Sequence, residues 1–253
     1  MPKKYTMITD AEIQQNHLNA RSLPIGKTIM VISPHPDDSC ISVGGMIARC
    51  AANNDIHVVV MTSGHRAHID GADRQERIAI RKDETRKECE VLSATPHFMD
   101  LGFYDEGEKH IDGDIKTMLQ ELEELHPDIV FLPHHLDSHQ THLTSRKIML
   151  EAIKMHDRPL EIWHYETLWA PFRTKHFNTV VPLAKDVMER KMQAIRCHAS
   201  QIKRTPYDRA AKALATFRAV LIPEQELSSF GDSGIQVGSF VEVFQTGKLI
   251  NYT

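Results

Sequence analysis

Short, continuously apolar runs alternate with longer helical patterns along most of this chain, and no other feature constrains its fold as strongly. Residues 28–32, 56–62 and 128–132 are apolar or β-branched almost throughout. Such runs are typical of strands that are buried on both faces, as they are in parallel sheets. Strands that alternate with helices favour a doubly wound sheet. We therefore predict an α/β, Rossmann-like fold with a mostly parallel sheet flanked by helices.

The same patterns predict the remaining elements. Predicted strands cover residues 28–33, 56–62, 98–101, 128–132, 161–169, 178–183 and 238–244. One predicted helix follows the first strand and ends near residue 52. The other predicted helices cover residues 77–93, 112–125, 142–155, 187–200 and 207–220. We expect the last strand at an edge or a subunit contact, and we expect Asp112 or Asp114 to cap its helix. A helical pattern near residues 11–20 predicts a leader, residues 1–26, that packs on a single domain spanning 1–253.

The composition is that of an ordinary globular protein. The chain has 253 residues, of which 41% are hydrophobic and 25% are charged, and this size fits one α/β domain. A net charge of −4 creates no basic field for nucleic acid or anionic lipid. No run approaches the ~20 apolar residues that span a bilayer. We therefore expect neither nucleic acid nor a membrane as a partner.

The cysteines predict a reducing environment. Cys40, Cys50, Cys89 and Cys197 are far apart, and no Cys-x-x-Cys motif is present. Free thiols are typical of cytosolic proteins, whereas secreted domains of small size depend on disulfides. The first residues also lack the apolar segment of a signal peptide. These observations favour a cytoplasmic protein.

A polar loop follows the first predicted strand and carries one histidine and two aspartates, in the segment Ser33-Pro34-His35-Pro36-Asp37-Asp38-Ser39. In open α/β sheets, ligands bind at the carboxyl ends of the strands. His35 and Asp38 offer an imidazole nitrogen and a carboxylate oxygen, which suit Zn²⁺ or another borderline divalent metal. Asp37 is then free to handle protons. An equally simple interpretation is that the acidic pair only caps the following helix.

A second loop of this kind follows the strand predicted at 128–132. Its sequence is Asp137-Ser138-His139-Gln140-Thr141-His142. Two histidines three residues apart at the start of a helix face the same side of that helix. Two separate helix caps explain this pair of loops poorly, because both follow a buried strand and both carry metal-ligand side chains. The pairing favours a shared site.

Further short motifs occur in a fixed order along residues 28 to 245. After His35-Pro36-Asp37-Asp38 come Gly44-Gly45, Thr62-Ser63-Gly64, Arg81-x-x-Glu84, Leu92, Gly102-Phe103-Tyr104-Asp105, the His-x-x-His pair and Lys191-x-x-Ala194-Ile195-x-x-His198-x-Ser200-Gln201. This ordered set resembles the PIG-L/LmbE family of zinc-dependent deacetylases. The resemblance implies that the chain is a metal-dependent N-deacetylase that removes an acetyl group from an N-acetylglucosamine-type amino sugar. It also implies a homo-oligomer, a trimer or a hexamer.

Two positions depart from the family pattern. The acidic residue that usually follows the aspartate pair is Ser39 here, and the usual His-Pro-Asp-His is His139-Gln140-Thr141-His142. The altered form also resembles a subgroup that is fused to, or found beside, glucosamine-6-phosphate deaminases. The identity of the sugar therefore stays open among N-acetylglucosamine, its 6-phosphate, a chitin disaccharide and a thiol-linked conjugate.

The resemblance assigns roles to particular side chains. His35, Asp38 and His142 are expected to bind Zn²⁺, with another divalent metal as the alternative cofactor, and to leave a position open for water. Asp37 is expected to act as the general base, and His139, if it is protonated, to stabilise the oxyanion.

Supporting roles fall to three further residues. Asp137 is expected to orient a histidine from behind, and Thr141 to hydrogen-bond in place of the usual aspartate. The resemblance gives Arg81 a contact with the sugar. From spacing alone, however, Arg81 and Glu84 would simply pair on a helix surface.

Other interpretations stay open. Aspartate pairs also hold Mg²⁺ or Mn²⁺ in phosphohydrolases, although two or three histidines disfavour a site with oxygen ligands alone. A non-catalytic sugar-binding relative is disfavoured because Asp37, which metal binding does not need, is present. Residues 63–75 are either a substrate-side loop or a solvated connection. Arg209 and Arg218 are available to an acidic ligand, but we expect both on a solvated helix surface.

Overall fold

A computed structural model of the chain describes residues 23–173, 176–222 and 240–247. Its centre is a seven-stranded sheet with the order β3-β2-β1-β4-β5-β7-β6. The strands are β1 (Thr28–Ser33), β2 (Asp55–Val60), β3 (Thr95–Phe98), β4 (Ile129–Pro133), β5 (Glu161–Tyr165), β6 (Thr179–Leu183) and β7 (Phe240–Gly247). The strands from β3 to β5 run parallel, and β7 is antiparallel to both of its neighbours. The predicted mostly parallel α/β fold is confirmed.

Helices cover both faces of the sheet. They are α1 (Asp38–Cys50), α2 (Arg74–Leu92), α3 (Phe103–Glu106), α4 (Ile111–Leu125), α5 (Gln140–Met155), α6 (Lys185–Arg196), α7 (Ala199–Ile202) and α8 (Tyr207–Leu221). Short 3₁₀ turns follow α1 and precede α4. Among the described helices, none combines the length and the apolar character that crossing a membrane requires.

The apolar runs form strands because both of their faces are buried. Alternate side chains of β1 enter two different clusters: Ile29 and Val31 pack beneath α1, whereas Met30 and Ile32 pack toward α4 and α5. Successive side chains of a strand point to opposite faces. A strand covered by helices on both sides must therefore be apolar at every position, which explains the unbroken runs in the sequence.

The strand order reverses at β1. From β1 the chain moves outward to β2 and β3 on one side, and it returns to the other side with β4, which pairs directly with β1. The connections on the two sides leave β1 in opposite directions, so a crevice opens beyond the carboxyl ends of β1 and β4. The two polar loops begin there, at Pro34 and at His134.

The third and fifth strands differ from the predictions in their bounds, and the last strand differs in its position in the sheet. The third strand is Thr95–Phe98, not residues 98–101, since Pro96 is tolerated in a strand at the sheet edge. The fifth strand ends at Tyr165, and Trp169 lies beyond it in a turn. The last strand was expected at an edge, but β7 lies between β5 and β6. Residues 1–22, including most of the predicted leader, and residues 238 and 239 lie outside the described residues.

Two further expectations about charged residues are wrong. Asp112 and Asp114 lie inside α4, not at its cap, and the Asp114 carboxylate accepts hydrogen bonds from the amides of Gly102 and Phe103, both at 2.8 Å. It therefore satisfies free amides where α3 begins. Arg218 is only 2% exposed and pairs with the Glu166 carboxylate, whereas Arg209 is exposed as expected.

Helix α1 lies unusually close to the last two strands of the sheet. The Glu242 carboxylate of β7 accepts hydrogen bonds from the amides of Gly45 (2.8 Å) and Met46 (2.7 Å), and Lys191 of α6 pairs with it at 2.6 Å. A Cβ atom on Gly45 would lie 2.4 Å from Leu183 Cδ1 and 2.8 Å from Glu242 Oε1. Helix α1 thus packs against β6 and β7 at Gly45, where a side chain would prevent the close approach.

We expect Gly45→Ala to destabilise the protein, because the added methyl group forces apart α1 and the two strands. Overpacking of this kind typically costs about 1–3 kcal/mol. Gly113→Ala is the matched control, since Gly113 is exposed in α4 with no neighbour within 4 Å of its Cβ position, and alanine there favours the helix by about 0.5–1 kcal/mol. Urea unfolding of both variants measures the difference. Equal stabilities would contradict the close approach.

Candidate active site

The loop after β1 folds back on itself through its own side chains. The Ser33 hydroxyl donates to the His35 carbonyl oxygen at 2.6 Å, and the Asp38 carboxylate accepts a hydrogen bond from the His35 amide at 2.8 Å. Asp37 occupies the N-cap position of α1 but makes no side-chain cap bond. Capping of α1 therefore does not explain Asp37, whose carboxylate is left for another partner.

The loop after β4 is organised around Asp137, which is buried. One carboxylate oxygen accepts from the His139 amide at 2.9 Å, and the other lies 2.8 Å from His142 Nδ1 and accepts from the Thr167 hydroxyl at 2.8 Å. Asp137 thus holds the proton of His142 on Nδ1 and leaves Nε2 free for another partner. Burial raises the pKa of Asp137, but the bonds from His142 lower it overall.

Three atoms from the two loops converge. His35 Nδ1 lies 3.0 Å from Asp38 Oδ2 and 3.2 Å from His142 Nε2, and the last two atoms are 3.1 Å apart. Burial lowers the pKa of His142, but Asp38 and Asp137 raise it to about 10. The site therefore attracts positive charge. Two imidazole nitrogens and a carboxylate oxygen form the mixed donor set that Zn²⁺ accepts, so the residues fit a divalent metal.

His139 lies beside this group. Its ring is stacked 4.7 Å from the ring of His142 and perpendicular to that of His35 at 4.7 Å, and the three histidines can offer ligand atoms within 4.8 Å of one another. Burial and the two neighbouring imidazoles lower the pKa of His139, which favours the neutral ring. The Thr141 amide donates to His139 Nδ1 at 3.3 Å, so the ring proton belongs on Nε2. The expected Thr141 contact is thus made by its backbone.

Arg81 connects Asp37 to helix α2. Its Nη2 lies 3.0 Å from the Asp37 carboxylate, and its Nη1 lies 2.7 Å from the Glu84 carboxylate. The Arg81–Glu84 pair was expected on the helix surface, but Arg81 is only 2% exposed. A buried guanidinium needs this kind of charge compensation. Arg81 therefore holds the carboxylate of Asp37 in a fixed orientation.

A cavity of about 310 Å³ opens above these residues. Besides the side chains already described, its lining includes Gly64, Arg66, Ala67, Tyr104, Thr141, Trp169, Gln201 and Tyr207. The segment from residue 64 to 67 thus forms a wall of the cavity, which supports the substrate-side interpretation of residues 63–75. Gly64 has a φ of 67° and a Cβ there would lie 2.9 Å from Pro36 Cγ, so only glycine allows this loop to cross the His35 loop.

Two aromatic residues of the cavity gave no signal in the sequence. Trp169 is 42% exposed and presents its ring edge-on to His139, His142 and Tyr207. The sequence patterns predict Trp169 in a strand and Tyr207 at the start of an ordinary helix. Only the tertiary fold brings both of them to the mouth of the cavity. Tyr104, by contrast, lies in the turn that the resemblance had singled out.

A buried polar cluster lies behind the cavity. The Glu84 carboxylate accepts from the Ser200 amide at 2.7 Å and from the Ser200 hydroxyl at 2.9 Å. Glu88 lies 2.6 Å from His198 Nε2. Burial lowers the pKa of His198, but Glu84 and Glu88 raise it to about 8. Hydrogen bonds thus connect the motif His198-x-Ser200 to α2. The burial of Glu88 is not predicted from the sequence, because this residue resembles an ordinary charge on a helix surface.

Comparison with known proteins supports the family resemblance. Residues 30–153 match the PIG-L family, described as GlcNAc-PI de-N-acetylase. A glucosamine-6-phosphate deaminase-like protein of Bacteroides thetaiotaomicron is 23% identical, over 74% of this chain but only 38% of the relative. The diacetylchitobiose deacetylase of Thermococcus kodakarensis is 25% identical, over 69% of this chain and 70% of its own.

A third relative, from Bacillus anthracis, is named for N-acetyl-alpha-D-glucosaminyl L-malate deacetylase activity. It is 28% identical, over 68% of this chain and 80% of its own.

Solved structures share the fold at lower identity. The N,N'-diacetylchitobiose deacetylase of Pyrococcus horikoshii superposes with a TM-score of 0.69 at 22% identity, over 88% of this chain and 84% of that one. GalB of Pseudomonas putida, a 4-carboxy-2-hydroxymuconate hydratase, superposes with a TM-score of 0.70 at 18% identity, over 90% and 99% of the two chains. The same fold thus carries different chemistry. The family resemblance of the sequence is nevertheless confirmed: residues 30–153 of this chain match the PIG-L family.

Proposed function

We propose that this chain is a metal-dependent hydrolase that removes the acetyl group from an N-acetylglucosamine-type amino sugar. The observation that carries the proposal is the position of Asp37 on the wall of the cavity, next to the three converging ligand atoms and held by Arg81. A metal site alone does not require a carboxylate there, whereas the hydrolysis of an amide requires a group that moves protons. The deacetylase names of two relatives point to the same reaction.

His35, Asp38 and His142 would hold the metal, for which we propose Zn²⁺ because nitrogen and oxygen donors are combined. When bound, such an ion polarises a carbonyl group and lowers the pKa of water to about 7. Another divalent metal would fit the same donors. The bond between Asp137 and His142 Nδ1 fixes which nitrogen of that ring faces the site.

Asp37 acts as the general base in this proposal. It takes a proton from the water that attacks the acetyl carbon, and it returns a proton to the nitrogen of the leaving amine. Arg81 keeps the carboxylate in place throughout. The resemblance also gives Arg81 a contact with the sugar, but its two Nη atoms already face Asp37 and Glu84. The orientation of the base is therefore the role that the geometry supports best.

His139 stabilises the negative charge that develops on the acetyl oxygen. Because its Nδ1 accepts from the Thr141 amide, its Nε2–H is the group that can donate into the cavity. A neutral imidazole donates one hydrogen bond of this kind without being protonated. This differs from the sequence-based expectation, in which His139 acts only if it carries a charge.

The alternatives have less support. A phosphohydrolase site with Mg²⁺ would be made of oxygen ligands, whereas two of the three converging atoms are imidazole nitrogens. A sugar-binding module without activity leaves Asp37 and its buried Arg81 partner without a purpose. Measuring acetate and phosphate release from N-acetylated and phosphorylated sugars, with Zn²⁺ present, separates the three possibilities.

The cavity wall also bears on the choice of sugar. Arg66 is exposed, lies with its Cζ 4.4 Å above the ring of Tyr104 and donates to the Tyr104 carbonyl oxygen. Within the described residues no carboxylate forms an ion pair with Arg66. Trp169, which lies beside His139 and His142, offers an apolar ring to the same cavity. These features favour an amino sugar that stacks on Trp169 and carries an anionic group, a phosphate or a carboxylate, toward Arg66.

The two histidines of the second loop separate metal binding from catalysis. His142→Ala removes one of three ligands, so we expect the zinc content to fall together with the activity. His139→Ala should keep zinc and lower kcat by ~10²–10³-fold, the usual effect of losing one oxyanion donor. Elemental analysis after dialysis against a mild chelator tests both variants. If His139→Ala loses zinc and His142→Ala retains it, the two roles are exchanged.

Asp37→Asn tests the base directly. The amide has the size of the carboxylate but accepts no proton at neutral pH, so kcat should fall by ~10²–10⁴-fold. Zinc content should persist, because His35, Asp38 and His142 are unchanged. The acidic limb of the pH–rate profile should also shift or disappear. Near-normal acetate release would remove Asp37 from the mechanism.

Arg66→Gln tests the choice of sugar. We expect kcat/KM for N-acetylglucosamine 6-phosphate to fall by at least tenfold, while kcat/KM for N-acetylglucosamine changes little, because only the former reaches the guanidinium with its charge. Arg74→Gln is the control, since Arg74 pairs with Asp105 and does not line the cavity. Equal losses for both sugars would show that Arg66 does not recognise an anionic group.

A further inference from the structure

A fully buried carboxylate lies directly behind the loop that carries Asp37. Glu88, in the middle of α2, is 0% exposed. Its Oε1 accepts a hydrogen bond from the Ser39 hydroxyl at 2.6 Å, and its Oε2 lies 2.6 Å from His198 Nε2. Both oxygens therefore have a partner. Burying a carboxylate costs folding free energy unless the group is paired and hydrogen-bonded. The position of these two partners is therefore essential for keeping Glu88 buried.

Hydrogen bonds connect Glu88 to the backbone of the loop. The Ser39 amide donates to the Ser33 hydroxyl at 3.0 Å, and that hydroxyl donates to the His35 carbonyl oxygen at 2.6 Å. The Cys40 thiol donates to the Asp37 carbonyl oxygen at 3.3 Å. The contact between Glu88 and Ser39 thus fixes the first turn of α1, on which the positions of His35 and Asp37 depend.

A second connection reaches Asp37 from its side chain. His198 Nδ1 faces the Glu84 carboxylate at 3.8 Å, and Glu84 holds Arg81, which pairs with Asp37. Glu84 and Glu88 lie one turn apart on α2, so the imidazole of His198 lies between two carboxylates. Arg81 also acts on this ring, and its positive charge lowers the pKa of His198.

The same residues do not make a good second metal centre. Ligand atoms of Cys40, Glu88 and His198 lie within 4.8 Å of one another. Burial and the neighbouring Glu88, however, raise the pKa of the Cys40 thiol well above its usual value, whereas a metal needs the thiolate. Both oxygens of Glu88 are already engaged. The cluster is best explained as a hydrogen-bonded network.

Position 39 connects the network to the metal loop. The family resemblance leads us to expect an acidic residue directly after the aspartate pair, whereas this chain has Ser39 there, and its hydroxyl donates to the Glu88 carboxylate. We propose that Glu88 supplies, from α2, the carboxylate that the loop lacks at position 39, and that it is a positioning residue for Asp37 and His35. This inference rests on the proposed function, since positioning concerns the proposed base and a proposed metal ligand.

Relocating the carboxylate tests the proposal. We expect Glu88→Gln and Glu88→Ala to lower kcat by ~10–100-fold with a smaller change in KM, which is the usual effect of removing a group behind the reacting residues. Ser39→Glu combined with Glu88→Ala should recover most of the loss, because the carboxylate then comes from the loop into the vacated space. Ser39→Glu alone should be impaired, since it buries two carboxylates together. Glu90→Gln, at an exposed position of the same helix, is the control.

A second readout does not depend on activity. The pKa of His198 is raised from about 6.5 to about 8 in the folded protein, so the stability that it contributes is complete below pH 6.5 and is lost as the pH rises through 8. The Tm of the wild type should therefore fall between pH 6.5 and pH 8.5. This slope should become shallower in Glu88→Gln, which keeps the size of the side chain, and it should persist in Glu90→Gln.

The outcomes distinguish a failure of the proposed function from a failure of the positioning role of Glu88. If neither the wild type nor any variant releases acetate, the proposed function fails. The Tm values then still decide whether the carboxylate placed at position 39 restores the network. The positioning role is overturned if the combined variant is no better than Glu88→Ala in both kcat and Tm. It is also overturned if elemental analysis finds a second equivalent of zinc that Glu88→Gln removes, because the cluster is then a metal site.

Discussion

The parallel pairing of β4 with β1 is the constraint on which the rest of this molecule depends. It places the ends of two strands side by side where the strand order reverses, and neither crossover covers the space beyond them. His35 and His142 are 107 residues apart in sequence, yet their ring nitrogens approach to 3.2 Å. The hydroxyl of Tyr165 in β5 donates to the Ile32 carbonyl oxygen at 2.8 Å, which further ties the end of β1 to the neighbouring strands.

Around this crevice, charge is arranged in alternating signs. From the cavity inward come Asp37, Arg81, Glu84, His198 and Glu88, each within contact of the next. Such a series keeps buried charges compensated, and it also resists the movement of any single member, because displacing one leaves its neighbours unpaired. A site of this kind is ordered before a ligand arrives, which is the condition for effective electrostatic catalysis.

The sequence predicts the scaffold of the site better than its surroundings. The apolar runs mark the strands that are buried on both faces. The polar loops at their ends draw attention to His35, Asp38, His139 and His142, and the family resemblance, not the loops, divides the proposed roles among them. The partners of α2 could not be found in this way. That helix carries charged residues on nearly all of its faces, so Arg81 and Glu88 resemble solvated side chains in the sequence. A buried helix face is normally recognised by the spacing of its apolar residues. A buried face made of paired charges has no such spacing and cannot be predicted in this way.

The burial of Arg218 and the position of β7 within the sheet escaped prediction for a related reason. The burial of Arg218 depends on Glu166, 52 residues away, and the position of β7 depends on β5 and β6. Which strands lie next to each other in a sheet depends on the topology of the whole chain. The β-propensity of a segment predicts only whether that segment forms a strand. Residues at the end of a strand can therefore be recognised from the sequence, whereas contacts between two distant segments cannot.

The place of β7 has a consequence for how the molecule is made. Strand β6 has β7 as its sheet neighbour, and Glu242 of β7 accepts amide hydrogen bonds from α1. A nascent chain that has been synthesised only as far as α8 therefore has β6 without its partner and an open edge on β5. Exposed strand edges of this sort invite association with other chains. The contacts between α1 and β7 can thus form only after nearly the whole chain has been translated.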